Sequence, residues 1–253
     1  MKILAADTSA KVATVAIADE SGILAESSVN TGLGARLTHS QALMPMIADL
    51  LRNVNLSIGE IDCFAVSAGP GSFTGLRIGI GAVKGLAYGA DKPCVGVSTL
   101  RALAQNLYGV EGVICAAMDA RAGQVYTALF EGRADGLSRL TEDMAITIDE
   151  LSEKLRTLKK NVFFVGDGAE LCYNKLKDEL PGCFLAWAGS RYQRASGVAA
   201  AAWEKIEAGE TVSAAQLSPV YLRLPQAERE LRRRNANLQK EEAFSSEGAP
   251  TQN

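Results

Sequence analysis

The strongest constraint on the fold is an internal repeat. The segment DTSAKVATVAI, which begins at Asp7, aligns without a gap on DARAGQVYTAL, which begins at Asp119. The alignment also places Ala16 on Ala128, and both segments follow an apolar, strand-like run. Around each segment, apolar runs and turn residues predict the same order of elements, β-β-β-α-β-α. The repeat therefore predicts an α/β protein that arose by duplication and has two related lobes.

The predicted lobes span residues 1–108 and 109–224, with a glycine-rich break at their junction. One weak third strand is expected in the second lobe, in the segment LSRLTEDMAI, and a late helix in ASGVAAAAWEKIEAG. The remaining residues, 225–253, are charged and then small and polar, which predicts a short solvated helix followed by disorder. The run Arg232–Arg234 in this tail is either solvated charge or a contact to RNA phosphate.

Composition and the first residues narrow the class of protein. A net charge of −3 and a pI near 5.4 give the chain no overall attraction to nucleic acid. The five cysteines form no CxxC pair, which predicts buried free thiols in a reducing compartment. The chain begins directly with a strand-like segment and has no signal-peptide pattern or membrane-spanning apolar run. We therefore expect a soluble cytoplasmic protein.

The segment GPGSFTGLRIG, residues 69–79, resembles a phosphate-binding loop but departs from the known patterns. No GK[ST] follows it, and the third glycine of a G-x-G-x-x-G motif would have to be Thr74. Pro70 also removes one backbone N–H group. Only weak contacts to an anion or nucleotide are expected, at the helix N-terminus and at the strand ends. The residues concerned are Asp7, Thr8, Ser72, Arg77, Asp119, Gly166 and Gly168.

Two predicted helices carry unusual surfaces. Helix 38–54 has an apolar stripe and an internal Pro45, which should kink it or disturb its first turns. Helix 72–89 carries glycines at every fourth residue, and each glycine costs about 1 kcal/mol relative to alanine in a helix interior. So many glycines indicate close packing. The packing is either on the helix's own sheet or against another chain, and both readings stay open.

Residues that could carry catalysis are few. His39 is the sole histidine, and Leu43 stands one turn later, so a pair of histidine ligands on this helix is excluded. No G-x-S-x-G elbow supplies a nucleophilic serine. Asp7 ends the first strand, where it either caps a turn or, as in kinases with a similar topology, helps to hold Mg-nucleotide. No metal site is predicted.

Five blocks of sequence, in order, resemble the TsaB (YeaZ-like) family. They are ILAADTS, HSQALMPMI, VSAGPGSFTGLRIG, MDARAGQVY and LSPVYLR, and the resemblance covers residues 1 to about 224. It implies the duplicated actin/Hsp70/sugar-kinase-like (ASKHA) fold. It also implies a role in bacterial tRNA modification with a TsaD-like catalytic paralogue and a TsaE-like ATPase. The reaction transfers threonylcarbamoyl from its AMP adduct to N6 of the adenosine 3′ of the anticodon, in tRNAs that read codons beginning with A.

The resemblance also implies the division of labour. The catalytic paralogue binds its metal with a His-x-x-x-His pair, of which this chain keeps only His39. The chain is therefore expected to be the non-catalytic, activating subunit. ATP, Mg and metal would belong to the partner subunits, and tRNA would be met through the complex. The expected contact is a helical bundle with the paralogue, or with a second copy of the chain when the paralogue is absent. Its predicted residues are His39, Leu43, Met46, Ile47, Leu50, Gly75, Ile78, Gly79 and Ala82.

Two other functions stay open at this point. An ASKHA-type kinase or ATPase would use the cleft between the lobes, with GDGAE at residues 166–170 as its best nucleotide contact. A glycoprotease-like metallopeptidase is the third reading, and the single histidine argues against it.

Overall fold

Two β-sheets of matching topology organise the protein, which is described from a computed structural model over residues 1–31 and 37–223. The first sheet has the order β3-β2-β1-β4-β5, and the second has the order β11-β10-β6-β7-β8, with β9 added beside β7. The first-sheet strands are β1 Ile3–Asp7, β2 Val12–Asp19, β3 Gly22–Asn30, β4 Cys63–Gly69 and β5 Cys94–Ser98. The second-sheet strands are β6 Gly112–Asp119, β7 Gln124–Arg133, β8 Gly136–Arg139, β9 Met144–Thr147, β10 Val162–Val165 and β11 Cys183–Leu185.

The repeat seen in the sequence is a repeat of topology. In each sheet the first three strands are antiparallel, and the next two add in parallel beyond the first strand. Asp7 ends β1 and Asp119 ends β6, so the aligned aspartates occupy equivalent positions. The prediction of a single strand in LSRLTEDMAI is wrong, because this segment forms two short strands, β8 and β9. Both of them pair with β7. The predicted duplicated α/β fold is confirmed.

Most of the helices lie where the sequence pattern predicts them; the exceptions are the short helices at residues 169–176 and 188–191, which the pattern does not predict. The helices are α1 His39–Asn53, α2 Phe73–Ala90, α3 Thr99–Gln105, α4 Ile148–Leu158, α5 Ala169–Leu176, α6 Ala188–Arg191 and α7 Ala195–Glu207, with a short 3₁₀ turn at Ile58–Glu60. A capping box begins α4: the Glu150 N–H donates to Thr147 Oγ1 at 3.2 Å, and the Thr147 N–H donates to Glu150 Oε2 at 2.7 Å. The helix α1 continues through Pro45 without interruption.

Helices from each half of the chain cover the sheet of the other half. Leu100 and Leu103 of α3 pack with Ile114 and Phe130 of the second sheet. In return, the alanine-rich face of α7 packs on β1 and β2 of the first sheet. The predicted division at residue 109 separates the two sheets, but it does not separate these helices from the sheets that they cover. Within the described residues no helix is long and apolar enough to cross a membrane. The predicted tail, 225–253, lies outside the described residues.

Candidate functional site

The glycine loop packs on the end of β1. The Ser72 N–H donates to the Ser9 carbonyl oxygen at 2.7 Å, and the Thr8 hydroxyl donates to the Gly75 carbonyl oxygen at 2.7 Å. A Cβ atom on Gly75 would lie 2.0 Å from the Thr8 carbonyl oxygen, and one on Gly79 would lie 2.5 Å from Thr8 Oγ1. These glycines, with Gly71, therefore let the loop and the first turns of α2 approach the tip of β1.

This packing also limits anion binding at the helix start. The Ser72 N–H is used by Ser9, and the Gly75 N–H donates to Ser72 Oγ at 3.3 Å. A phosphate nest needs several N–H groups that point to a common point outside the loop. Two of the candidates are directed into the chain instead. Arg77 lies on the surface, with its guanidinium 3.9 Å from the centre of the Phe73 ring.

The apolar stripe of α1 belongs to the core of the chain itself. Leu43, Met46, Ile47 and Leu50 are 1, 7, 2 and 5 % exposed, and they pack with strands of the first sheet. The expectation from the sequence is that these four side chains contact another chain. The structure corrects this expectation, because the chain's own first sheet already covers and buries them. Ile78 and Ala82 of α2 are partly buried against the same core, and Gly75 and Gly79 face Thr8.

Other parts of the two helices are open to solvent. Around Gly81, Gly85 and Gly89 of α2, a Cβ atom would meet nothing within 4 Å. Tyr88 is 83 % exposed beside them, and Met44 of α1 is 45 % exposed. We call Gly81, Gly85 and Gly89 the outer glycines, and Gly71, Gly75 and Gly79 the inner glycines. The outer series has the same four-residue spacing as the inner one, and sequence alone does not tell which series faces inward.

His39 lies at the start of α1 and is held by a neighbour. Its Nε2 is 3.0 Å from the Thr31 hydroxyl. Partial burial lowers the pKa of His39, and the Asp7 carboxylate opposes this effect. The residue one turn later, Leu43, is buried and apolar. Among the described residues no group of three histidine, cysteine, aspartate or glutamate side chains is arranged to hold a metal ion.

The two aligned aspartates make the same turn. Asp7 Oδ1 accepts from the Ser9 N–H, and Asp119 Oδ1 accepts from the Arg121 N–H, each at 2.7 Å. Asp7 is buried and also accepts from Ser67 Oγ at 2.5 Å. Burial raises the pKa of Asp7, while these hydrogen bonds oppose the rise. Both residues therefore cap turns through their side chains.

The GDGAE loop lies against the end of β6. Cβ atoms on Gly166 and Gly168 would lie 2.1 Å from the Ala117 carbonyl oxygen and 2.7 Å from the Met118 carbonyl carbon, so both glycines serve close packing. Asp167 lies between these two glycines in the sequence. Burial raises the pKa of Asp167 to about 6, and the positive charge of Lys11 partly offsets this effect. The nucleotide or anion contacts assigned to Asp7, Thr8, Ser72, Arg77, Asp119, Gly166 and Gly168 stay a prediction.

The chain resembles proteins of one tRNA-modification system. A family model described as TsaD, tRNA N6-adenosine threonylcarbamoyltransferase, matches residues 33–231. The tRNA threonylcarbamoyladenosine biosynthesis protein TsaB of Escherichia coli is 33 % identical over 88 % of this chain and 95 % of its own length. TsaB of Bacillus subtilis is 34 % identical over 90 % of this chain and 96 % of its own length. The structure of YeaZ from Pseudomonas aeruginosa has a TM-score of 0.73 at 30 % identity, and the match covers 87 % of this chain and all of that one (100 %).

Proposed function

This chain belongs to the TsaB (YeaZ-like) family of tRNA threonylcarbamoyladenosine biosynthesis proteins, and on that premise we propose that it is a non-catalytic, activating subunit. It would act with a TsaD-like transferase, which carries the chemistry, and a TsaE-like ATPase. The reaction moves the threonylcarbamoyl group from its AMP adduct to N6 of the adenosine 3′ of the anticodon. The tRNA would meet this chain through the complex.

The observation that carries the proposal is the helix start at His39. The chain matches the transferase family model over most of its length, yet the place of the second histidine holds Leu43. That side chain is 1 % exposed and packs in the core, where a metal ligand has no use. A chain with the transferase topology but an apolar residue in place of a ligand supports a partner role rather than catalysis.

The partner face that we propose is the open surface of α1 and α2. The outer glycines carry no side chain, so the backbone of another helix can approach α2 closely. Tyr88 and Met44 add exposed apolar area on the same two helices. The TsaD-like paralogue would pair its corresponding helices with this surface in a helical bundle. A second copy of the chain would occupy the surface when the paralogue is absent.

The contribution of the chain would be conformational. Fixing the paralogue's first helices would also fix the metal-binding histidines that one of them carries, and orientation of ligands governs how well a metal site works. No cofactor is assigned to this chain. ATP and Mg would be used by the TsaE-like ATPase, and the catalytic metal by the transferase.

Reconstitution tests the proposal. The TsaD-like and TsaE-like partners, threonylcarbamoyl-AMP and a suitable tRNA are combined with and without this chain, and the modified adenosine is quantified by mass spectrometry. Product that forms only in the presence of the chain is the expected result. Equal product in its absence would contradict the proposal and favour the kinase or ATPase alternative, which thermal-shift titration with Mg-ATP would then address.

A matched pair of variants tests the face. Gly85→Leu places a large side chain on the open surface, whereas Gly136→Leu places one on β8 of the second sheet, also in open space. We expect Gly85→Leu to abolish transferase binding and stimulation, and Gly136→Leu to retain both. Equal behaviour of the two variants would show that the open surface of α2 is not the interface.

A further inference from the structure

The segment that follows α7 returns to the first lobe and is bonded into it. Val212 and Cys94 exchange backbone hydrogen bonds of 2.9 and 2.8 Å, which adds a bridge to the edge of β5. Further on, the Val220 N–H donates to the Ala68 carbonyl oxygen at the end of β4, at 2.7 Å. Between these two points Leu217 is buried in the core. We call residues 212–222 the strap.

Three side chains of α2, those of Phe73, Arg77 and Lys84, contact the strap. Lys84 Nζ donates to the carbonyl oxygens of Ala215 and Leu217 at 3.2 and 3.0 Å. Near the helix start, Arg77 Nε donates to the Tyr221 hydroxyl at 3.1 Å, and the rings of Phe73 and Tyr221 stack with their centres 4.9 Å apart. At about 100° of helix rotation per residue, positions 73, 77 and 84 fall within about 40° of one another. The contacts therefore form one line along one flank of α2.

The open surface of α2 adjoins that flank. On the same helical rotation, the outer glycines lie about 80° to 160° from Phe73, whereas the buried residues Leu76 and Val83 lie on the opposite side. The first sheet therefore packs against the side of α2 that carries Leu76 and Val83, and the strap contacts the flank beside the outer glycines.

Two glycines admit the strap. Gly69 has a φ of +138°, and a Cβ atom there would lie 2.1 Å from the Val220 carbonyl oxygen. A Cβ atom on Gly96 would lie 3.2 Å from Leu217 Cδ1. The first glycine of the GPGSFTG loop thus serves the approach of the strap, and the inner glycines that follow serve the approach to β1. Glycines at the start of α2 therefore allow two close approaches, one by the strap and one by the end of β1.

We infer that the strap positions α2 for the transferase partner, with Lys84 and Tyr221 as positioning residues. The inference rests on the proposed function and adds a third element, remote in sequence, to the two helices of the interface. It assigns a use to the LSPVYLR block, which begins at Leu217. Release of the strap would leave the first sheet intact but free the flank of α2 from Phe73 to Lys84, the part of the helix that leads into the outer glycines.

The experiment compares Tyr221→Ala and Lys84→Met with two matched controls. The controls are Tyr108→Ala, which removes another exposed tyrosine, bonded to the Asp135 carbonyl oxygen, and Lys92→Met, which removes a lysine paired with Asp62. Transferase binding is measured by titration, and amide hydrogen exchange is measured on the free chain over residues 73–84. For each strap variant we expect a Kd about tenfold higher and faster exchange in that segment. The controls should change neither quantity.

Each result decides the inference. Faster exchange in α2 with unchanged Kd would overturn it, because the helix position would not matter to the partner. A higher Kd with unchanged exchange would also overturn it, because Tyr221 or Lys84 would then act by direct contact. A wild-type chain that fails to bind the transferase would contradict the proposed function itself, whereas the exchange readout on the free chain separates that failure from failure of the strap.

Discussion

Substitution of glycine by alanine should have opposite effects on the free energy of unfolding at the inner and the outer glycines. Alanine is favoured over glycine in a helix interior by about 1 kcal/mol. Gly85→Ala places its methyl group in open space, so the free energy of unfolding should rise by up to about 1 kcal/mol. For a chain of this size that gain corresponds to a rise in Tm of roughly 2 to 4 °C.

Gly75→Ala should reverse the sign. Its Cβ atom would lie 2.0 Å from the Thr8 carbonyl oxygen, whereas an ordinary carbon–oxygen contact is about 3.3 Å. The helix or the tip of β1 must move by about 1 Å, and overpacking of this kind typically costs about 1 to 3 kcal/mol. The movement would also weaken the bond from the Thr8 hydroxyl to the Gly75 carbonyl oxygen. We expect a net loss of roughly 2 kcal/mol, because the helix preference of alanine offsets part of the cost.

Urea unfolding followed by circular dichroism measures both variants. Because Gly85 lies on a face that we propose for self-association, the measurements are repeated over a range of protein concentrations, which separates folding from dimerisation. The reasoning would be refuted by a neutral or stabilising Gly75→Ala. It would be refuted equally by a Gly85→Ala that destabilises the monomer.

Three further predictions concern other parts of the fold. Burial raises the pKa of Asp167 from 3.8 to about 6, so the contribution of Asp167 to stability should fall as pH rises from about 4 to 6. Relative to the wild type, Asp167→Asn should therefore become more stable over this range, by on the order of 2 kcal/mol above pH 6, which urea midpoints of both proteins from pH 4 to 8 would check. Glu26→Gln should cost about 1 to 3 kcal/mol, because this partly buried carboxylate on β3 accepts hydrogen bonds from the backbone N–H and the hydroxyl of Ser196 in the first turn of α7. The exposed ion-pair residue Glu179 should tolerate the same change, and urea unfolding compares the two variants. Burial raises the pKa of the Cys115 thiol to about 12, and this thiol is fully covered in the folded chain. A thiol reagent should therefore modify the half-buried Cys183 first and Cys115 only on unfolding, as mass spectrometry of the labelled peptides would show.

Local pattern was sufficient for most of the fold. Apolar runs, turn residues and capping boxes are short-range signals, and they predict the β-β-β-α-β-α order along each half of the chain and the bounds of α2 to within a residue. The segment LSRLTEDMAI was harder. Its two short strands both pair with β7, and such pairing depends on a partner distant in sequence rather than on the segment itself.

The site was harder to predict than the fold for a physical reason. Periodicity shows that Leu43 and Ile47 share a face of α1, but it does not show whether their own sheet or another chain covers that face. The same holds for the two glycine series, whose roles depend on where the tip of β1 lies. The strap is invisible to periodicity, since Tyr221 has no regular structure around it and meets α2 only in three dimensions.

The exchange of α3 and α7 between the sheets has a consequence for how the chain can be divided. They are the last full helices of the two repeats, and each completes the hydrophobic layer of the opposite repeat. A half-length chain would have one bare sheet face and one uncovered helix. Two such halves could satisfy each other only by trading that helix, as in a domain-swapped dimer. The full chain is in this sense a swapped dimer closed by a peptide bond, so its halves should fold and unfold together.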